Sequence, residues 1–77
     1  MKIKGTNRNI WFDLENGYVL KANGEILIGN RFLVYKDSMR YWEPPHEKER
    51  LTESEIQKII DQVIAMTNEN TVQILFD

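Results

Sequence analysis

The sequence contains no cysteine, one histidine and no long apolar run, and each scarcity excludes a class of protein. Without cysteine, neither a disulfide nor a cysteine-based metal site is available, which suits a reducing compartment. One histidine, His46, among scattered glutamates does not supply the convergent ligands of a metal centre. No window approaches the roughly 20 apolar residues of a membrane span, and residues 1–5 lack the apolar core of a signal peptide. We therefore expect a soluble, cytoplasmic protein without a metal ion or a cofactor.

The length of 77 residues limits the chain to one domain with a modest core. A chain of this size buries only about 60% of its unfolded surface. Hydrophobic residues make up 42% and charged residues 29%, a balance typical of a folded globular domain rather than of a disordered chain. We expect residues 1–77 to form a single domain.

Charge is unevenly distributed along the chain. Residues 1–42 carry seven Lys/Arg against four Asp/Glu, whereas residues 43–77 carry three against eight. Acidic residues are favoured in the first turn of a helix, which accounts for Glu53 and Glu55. Glu43, Glu47 and Glu49 precede that turn and form an acidic segment that this explanation does not cover.

No arrangement of residues indicates catalysis. The chain has no glycine-rich phosphate loop and no nucleophile elbow. His46 stands in a Pro-Pro-His-Glu segment, which is more typical of a solvent-exposed imidazole than of a general base. We therefore expect that the protein is not an enzyme.

Three turn signals divide the first half of the chain: Asn16-Gly17, Asn23-Gly24 and Gly29-Asn30. The short runs between them alternate between apolar and polar residues. One face would carry Ile10, Phe12 and Leu14, then Tyr18, Leu20 and Ala22, then Ile26 and Ile28, and finally Phe32 and Val34. This alternation predicts an antiparallel meander, continued after residues 36–38 by a strand near residues 39–43.

The same alternation predicts the length of each hairpin loop. A three-residue loop at residues 15–17 pairs Phe12 with Leu20, whereas a two-residue loop would pair Phe12 with Lys21 and mix the faces. Loops of three residues at the next two turns pair Leu20 with Ile26, and Ile28 with Phe32. A type I turn followed by a bulge with glycine in the left-handed conformation suits the first two loops.

The second half predicts one helix and one last strand. Thr52 and Glu55 form a capping box at the start of a helix of about residues 52–68, which Asn68 or Asn70 would close. The spacing of the apolar residues predicts one buried stripe, made of Ile56, Ile59, Ile60, Val63 and Ile64. A strand of about residues 71–77 would bury Val72, Ile74 and Phe76.

These elements predict an α+β fold in which one amphipathic helix packs on one face of an antiparallel meander and a C-terminal strand joins the sheet. One helix covers only one face, yet the other face also carries apolar residues. They are Trp11, Val19, Leu27, Leu33 and Tyr35. We call this second apolar face the surplus face. Either sheet curvature, loops or Trp42 cover its apolar residues, or the face binds another protein, including a second copy of the chain.

Trp42-Glu43-Pro44-Pro45 presents an aromatic ring and a carboxylate on a stiff segment. A tryptophan in this position either packs its ring under a loop or serves as an interface hot spot. The candidate partner-binding residues therefore combine the surplus face with this segment and the acidic residues after it. They are Trp11, Leu27, Leu33, Tyr35, Trp42, Glu43, Glu47 and Glu49.

Nucleic-acid binding is the alternative from another class. Aromatic residues on a sheet with basic neighbours could stack bases. The aromatic residues Trp11, Tyr18, Tyr35 and Tyr41 would lie near the basic residues Lys21, Arg31, Lys36 and Arg40. The pI of about 5.4 provides little electrostatic attraction for a polyanion, and no RNA-binding motif is present. A small nucleic-acid-binding or regulatory domain therefore ranks second.

The order of several short motifs resembles a family of small bacterial immunity proteins. The motifs are Gly24-Glu25-x-Leu27, Phe32-x-Val34-Tyr35, Trp42-Glu43-Pro44-Pro45, Leu51-Thr52-x-x-Glu55 with Ile59-Ile60, and Ile74-x-Phe76. The resemblance covers about residues 10–77 and leaves residues 1–9 as an extension. Its most specific part is the Trp-Glu-Pro-Pro segment before the capped helix.

This resemblance implies that the protein is a non-catalytic inhibitor. Members are encoded beside polymorphic toxins, including contact-dependent inhibition toxins, and protect the cell that produces the toxin. The expected partner is a cognate toxin C-terminal domain, often a nuclease, and the expected compartment is the cytoplasm. The resemblance assigns no toxin-contacting residues and leaves a homodimer open.

Overall fold

A computed structural model describes residues 1–66 and 72–77 of the chain. The described residues form one five-stranded sheet, one α-helix and a short 3-10 helix. In chain order they are β1 (Lys2–Gly5), β2 (Asn9–Asp13), β3 (Val19–Leu27), β4 (Arg31–Val34), the 3-10 helix (Lys36–Ser38), α1 (Glu53–Met66) and β5 (Gln73–Phe76). The strand order is β1-β2-β3-β4-β5, antiparallel from β1 to β4, with β5 parallel to β4. This confirms the predicted α+β fold.

The first hairpin has the predicted three-residue loop. Phe12 pairs with Leu20, and the Leu14 amide donates to the Tyr18 carbonyl oxygen over 3.0 Å. Gly17 has a φ of 94° and Glu15 a φ of 61°, so the loop contains two left-handed residues. Apolar alternation was therefore sufficient to determine the register of this hairpin.

The second predicted turn, at Asn23-Gly24, is wrong. β3 runs without interruption from Val19 to Leu27, so Leu20 and Ile26 belong to one strand and do not pair. Gly24 is buried opposite Val34. A Cβ atom there would lie 2.6 Å from a ring carbon of Phe32 and closer still to the Leu33 carbonyl oxygen. This glycine therefore allows close packing within the sheet instead of a turn.

The third turn forms, but its loop comprises residues 28–30. Leu27 pairs with Arg31, and Phe32 pairs with Ile26 instead of the predicted Ile28. Gly29 and Asn30 both have positive φ, at 85° and 58°. The two-residue difference in register preserves the faces, because side chains alternate with a period of two. Ile28 itself lies in the loop and is 91% exposed.

The segment after β4 runs along the edge of β3 that does not pair with β2. It does not form the strand predicted at residues 39–43. Its pairing with β3 is reduced to the isolated bridge of Trp42 with Leu20, and Tyr41 forms a second isolated bridge with Arg50. The Glu43 amide also donates to the Val19 carbonyl oxygen over 2.7 Å. β4 and the bridge at Trp42 therefore occupy successive parts of one long edge.

The predicted capping box forms at the start of α1. The Thr52 amide donates to Glu55 Oε1 over 2.9 Å, and the Glu55 amide donates to Thr52 Oγ1 over 3.2 Å. Ile59, Ile60 and Val63 are buried, and the helix is described as far as Met66. The closing residues predicted at Asn68 or Asn70 lie outside the described residues.

Two residues predicted to be buried are exposed instead. Ile64 is 52% exposed, because the helical period carries it to the margin of the stripe centred near Val63. Val72 is 45% exposed and precedes β5, whereas Ile74 is buried and Phe76 half-buried.

The N-terminal residues contribute the edge strand β1, for which the sequence analysis assigned no element. Ile3 pairs with Phe12, and Gly5 pairs with Ile10. The amino group of Met1 lies 2.9 Å from Glu15 Oε2. Residues 2–5 therefore extend the sheet beyond β2.

The core lies between the sheet and α1. Its fully buried side chains are Phe12, Leu20, Val34, Met39 and Val63. The ring centroids of Phe12 and Phe76 are 6.3 Å apart, although two strands separate β2 from β5. Strands in a sheet lie about 4.8 Å apart, so the sheet curves around this core. No helix in the described part of the chain is long and apolar enough to cross a membrane.

Gly24→Ala should lower the free energy of unfolding by about 3 kcal/mol, because the methyl group meets backbone that cannot move aside. Gly5→Ala is the matched control, since its Cβ atom would meet only ordinary contacts of 3.5 and 3.9 Å. Urea denaturation of both variants measures the difference. Equal stability of the two variants would contradict the close packing at Gly24.

Candidate functional site

The face of the sheet opposite α1 carries no described helix or loop segment across it; we call it the open face. Strand alternation and pairing assign its side chains. They are Lys2, Lys4, Asn9, Trp11, Asp13, Val19, Lys21, Asn23, Glu25, Leu27, Arg31, Leu33, Tyr35, Gln73 and Leu75. The surplus apolar residues of the sequence thus share one face.

Trp11 is the largest side chain on the open face, and two charged side chains contact it. Its indole Nε1 donates to Glu43 Oε1 over 3.1 Å, and Lys21 Nζ lies 5.7 Å from its ring centroid. The bond from the Glu43 amide to Val19 places that carboxylate beside the ring. The structure thereby brings two of the predicted residues, Trp11 and Glu43, into direct contact. Trp11 is half-buried and fixed before any partner arrives.

A shallow depression lies between β1 and the Trp11 ring. Trp11 and Val19 supply its apolar part, and Lys2, Lys4 and Asp13 supply its charged part. Because two ammonium groups meet one carboxylate there, the depression favours acidic or aromatic groups of a partner.

A second apolar group on the open face, the leucine group, consists of Leu27, Leu33 and Leu75. Leu33 lies opposite Leu75 on one side and opposite Glu25 on the other. Tyr35 borders this group and is 38% exposed. Desolvation by its surroundings and the nearby Glu25 carboxylate raise the pKa of Tyr35 above its usual value. The hydrogen bond between the Tyr35 phenol and Glu25 contributes to the same rise, so this tyrosine stays protonated at neutral pH.

Trp42 does not belong to the open face. It is only 5% exposed, because it bridges Leu20, whose side chain points toward α1. Its ring packs edge-on against Tyr18, with centroids 4.9 Å apart. Burial removes Trp42 from the candidate surface, and it covers none of the open face.

The acidic segment forms a separate cluster beside Tyr18. Glu49 accepts from the Tyr18 hydroxyl over 3.0 Å, and its Oε2 lies 2.6 Å from His46 Nδ1. The imidazole stacks on the Tyr18 ring with centroids 3.7 Å apart. The hydrogen bond with His46 lowers the pKa of Glu49 most, and the hydrogen bond from Tyr18 lowers it further. His46 therefore supports the loop, and Glu49 lies apart from the leucine group.

Glu47, the remaining predicted site residue, lies in the same loop as Glu49 and is exposed. Its side chain makes no hydrogen bond or ion pair with the residues that the structure describes. It is therefore free to meet a partner that approaches this loop.

Two further residues, Tyr41 and Leu75, belong to the candidate surface although the sequence pattern did not single them out for partner binding. Tyr41 is 54% exposed, and its position next to Trp42 places it on the side of the open face. The Arg50 guanidinium lies 5.9 Å from its ring centroid. The alternation of side chains along the chain could have identified both residues. Tyr41 precedes the inward-facing Trp42, and Leu75 lies between the inward-facing Ile74 and Phe76.

A separate apolar groove lies on the helix side, at the end of the molecule that carries the β3–β4 turn. Ile26 is 59% exposed and Met66 46% exposed at its margin, and Ile10 and Phe32 form its floor. Among the described residues, no group of three or more His, Cys, Asp or Glu side chains could hold a metal ion.

Comparison with known families decides the class of the protein. A family model described as Immunity protein 74 matches residues 2–77, which include β1 as well as the capped helix and β5. The chain belongs to this family. No curated protein and no solved structure matched the chain.

Membership of an immunity protein family indicates that the protein neutralises a toxin by binding it, and such families are generally non-catalytic. The surfaces of this immunity protein then become candidates for toxin contact. The open face offers a fixed tryptophan and partly exposed apolar side chains, and the loop of Glu47 and Glu49 offers negative charge.

The Glu49 contacts predict an acid-dependent contribution to the stability of the immunity protein. The pKa of Glu49 is lowered from its ordinary 4.5, so its contribution is present above pH 4.5 and is lost as the pH falls through the folded-state pKa. Glu49→Gln should therefore be less stable than wild type at pH 7, and the two should converge in acid. Urea denaturation across this pH range measures both.

Glu47→Gln is the matched control for this prediction, because it removes an acidic charge from the same loop without removing a described contact. Its stability should follow that of wild type at every pH. A constant difference between Glu49→Gln and wild type from pH 7 into acid would contradict the prediction.

Proposed function

We propose that the immunity protein binds a cognate toxin domain through the open face, with Trp11 at the centre of the contact, and neutralises it stoichiometrically without catalysis. The observation that carries this proposal is a half-buried tryptophan, fixed by Glu43 and Lys21, on a sheet face that α1 does not cover. The protein acts in the cytoplasm of the cell that produces the toxin, within a polymorphic toxin system such as contact-dependent inhibition.

A fixed tryptophan suits this role for energetic reasons. Ordering a mobile side chain on binding costs about 0.5–1.5 kcal/mol, and the Glu43 hydrogen bond restricts Trp11 beforehand. Tryptophan is also among the residue types most enriched in interface hot spots. Leu27, Leu33 and Tyr35 extend the apolar contact beyond the ring.

The acidic loop adds a second contribution if the toxin is a nuclease. Glu47 and Glu49 are exposed beside the first hairpin, away from the leucine group. The active cleft of a nuclease carries positive charge to hold its substrate, and complementary charge accelerates association. Glu47 and Glu49 would then guide the toxin toward the protein, while Trp11 and the leucine group provide the buried contact.

Nucleic-acid binding is the second candidate, because Lys2, Lys4 and Lys21 surround Trp11 on the open face. Against it, Asp13 and Glu43 interrupt this basic area, and the indole N–H is already bound to a carboxylate. A salt titration separates the two functions: binding to generic RNA that falls steeply with added salt would favour nucleic acid.

Co-purification from the native host tests the proposed function directly, because it identifies the partner. The expected partner is a protein whose C-terminal domain is toxic, encoded by the upstream neighbouring reading frame. Expression of that domain alone should arrest growth, and co-expression of the immunity protein should restore it. Growth arrest that persists on co-expression of the two proteins would reject toxin neutralisation.

Trp11→Ala should weaken binding to that toxin domain by about 30-fold, which corresponds to a hot spot of about 2 kcal/mol. Leu33→Asp should also weaken it, because a carboxylate would be buried against the partner. Isothermal titration calorimetry measures both affinities. Circular dichroism verifies that each variant is folded.

Gln62→Ala, on the exposed side of α1, is the control and should bind like wild type. If Trp11→Ala and Leu33→Asp both retain wild-type affinity, the toxin binds elsewhere on the protein.

A further inference from the structure

β5 ends the sheet with unpaired backbone groups. The Gln73 amide donates to the Asn30 carbonyl oxygen and the Asp77 amide to the Val34 carbonyl oxygen, each over 2.9 Å. Odd-numbered residues of β5 therefore direct their amides toward β4, and those of Ile74 and Phe76 point away from it. In the described part of the chain no strand lies beyond β5.

The two edges of the sheet differ in protection against pairing. β1 carries Lys2 and Lys4, and charged side chains on an edge discourage another strand from adding to it. β5 has the sequence Gln-Ile-Leu-Phe, with no charge and no proline. The β5 edge is therefore the less protected of the two.

The direction of the free groups limits how a second copy of β5 can pair. In an antiparallel pair centred on Leu75, Ile74 of one copy lies opposite Phe76 of the other, so the free groups on both strands meet. Leu75 then faces its own counterpart as a non-hydrogen-bonded pair, in which side chains approach most closely. A pair centred on Ile74 would also match the free groups, but it would place Leu75 opposite Gln73.

Charge complementarity favours the register centred on Leu75. This register places Asp77 of the second copy opposite Gln73, and Gln73 lies opposite Arg31 within one chain. Arg31 and Asp77 of the second copy would then lie on one face, about 10 Å apart between strands. Within the described residues neither side chain has an ion-pair partner, although Arg31 Nε donates to the Ile28 carbonyl oxygen. Twofold symmetry creates this pair twice.

We propose that two copies of the chain associate through antiparallel pairing of β5 with β5, centred on Leu75. The resulting ten-stranded sheet joins the two open faces. Its central row consists of Leu33 and Leu75 of each copy, flanked on both sides by the pairs of Arg31 with Asp77. This interface is distinct from the Trp11 region and does not depend on toxin binding.

Sedimentation velocity of the full chain over a range of concentrations tests this interface. Wild type should show a reversible monomer–dimer equilibrium. Arg31→Asp and Asp77→Arg should each raise the dimer dissociation constant at least about fivefold, since each replaces two attractive pairs with two repulsive ones. The double variant Arg31→Asp/Asp77→Arg should restore the wild-type constant, because it exchanges the charges.

Lys4→Asp on the β1 edge is the control and should leave dimerisation unchanged. Leu75→Lys should abolish the dimer while the circular dichroism spectrum stays that of wild type, since Leu75 lies on the open face. Wild type that remains monomeric at its highest soluble concentration would overturn the proposal. A dimer that tolerates both single charge reversals, or that the double variant does not restore, would overturn it as well.

Discussion

One helix seals one face of the sheet, and the rest of the molecule depends on this constraint. α1 has 14 residues, and its buried side chains Ile59, Ile60 and Val63 close the core on one side only. Alternation along each strand then sends every second side chain to the other face, which none of the described residues covers with a helix. The fold therefore produces a core and an apolar surface from the same strands.

The long strand β3 connects this core to the candidate surface. β2 pairs with its first half and β4 with its second half. Gly24 is the first residue of the second half, and it allows the close packing of Phe32 there. The free edge of the first half receives the bridge at Trp42. Because Trp42 is buried in the core, the next residue, Glu43, is directed toward the open face and holds Trp11. A core residue thus positions the carboxylate that orders the half-buried Trp11.

Sequence patterns predicted the features that depend on local chemistry. The capping box at Thr52, the first hairpin and the common face of Trp11 and Leu33 follow from hydrogen bonding and alternation over a few residues. The turn predicted at Asn23-Gly24 is wrong because glycine is favoured both where the backbone has a positive φ and where two segments pack closely. Only the position of the neighbouring strand distinguishes these two cases. The parallel partner of β5 and the short strand β1 depend on contacts between distant segments, which a local pattern does not specify. The burial of Trp42 follows from its bridge to Leu20, which is also a distant contact.

NMR spectra of the labelled immunity protein, recorded with and without the toxin domain, test most directly whether the open face binds the toxin. The indole N–H resonance of Trp11 and the amide resonances of its neighbours Val19, Lys21 and Glu43 should change on binding. Those of Gln57, Asp61 and Gln62 on the outer side of α1 should remain in place. Changes confined to α1, or to the groove near Ile26 and Met66, with Trp11 unaffected, would contradict the account.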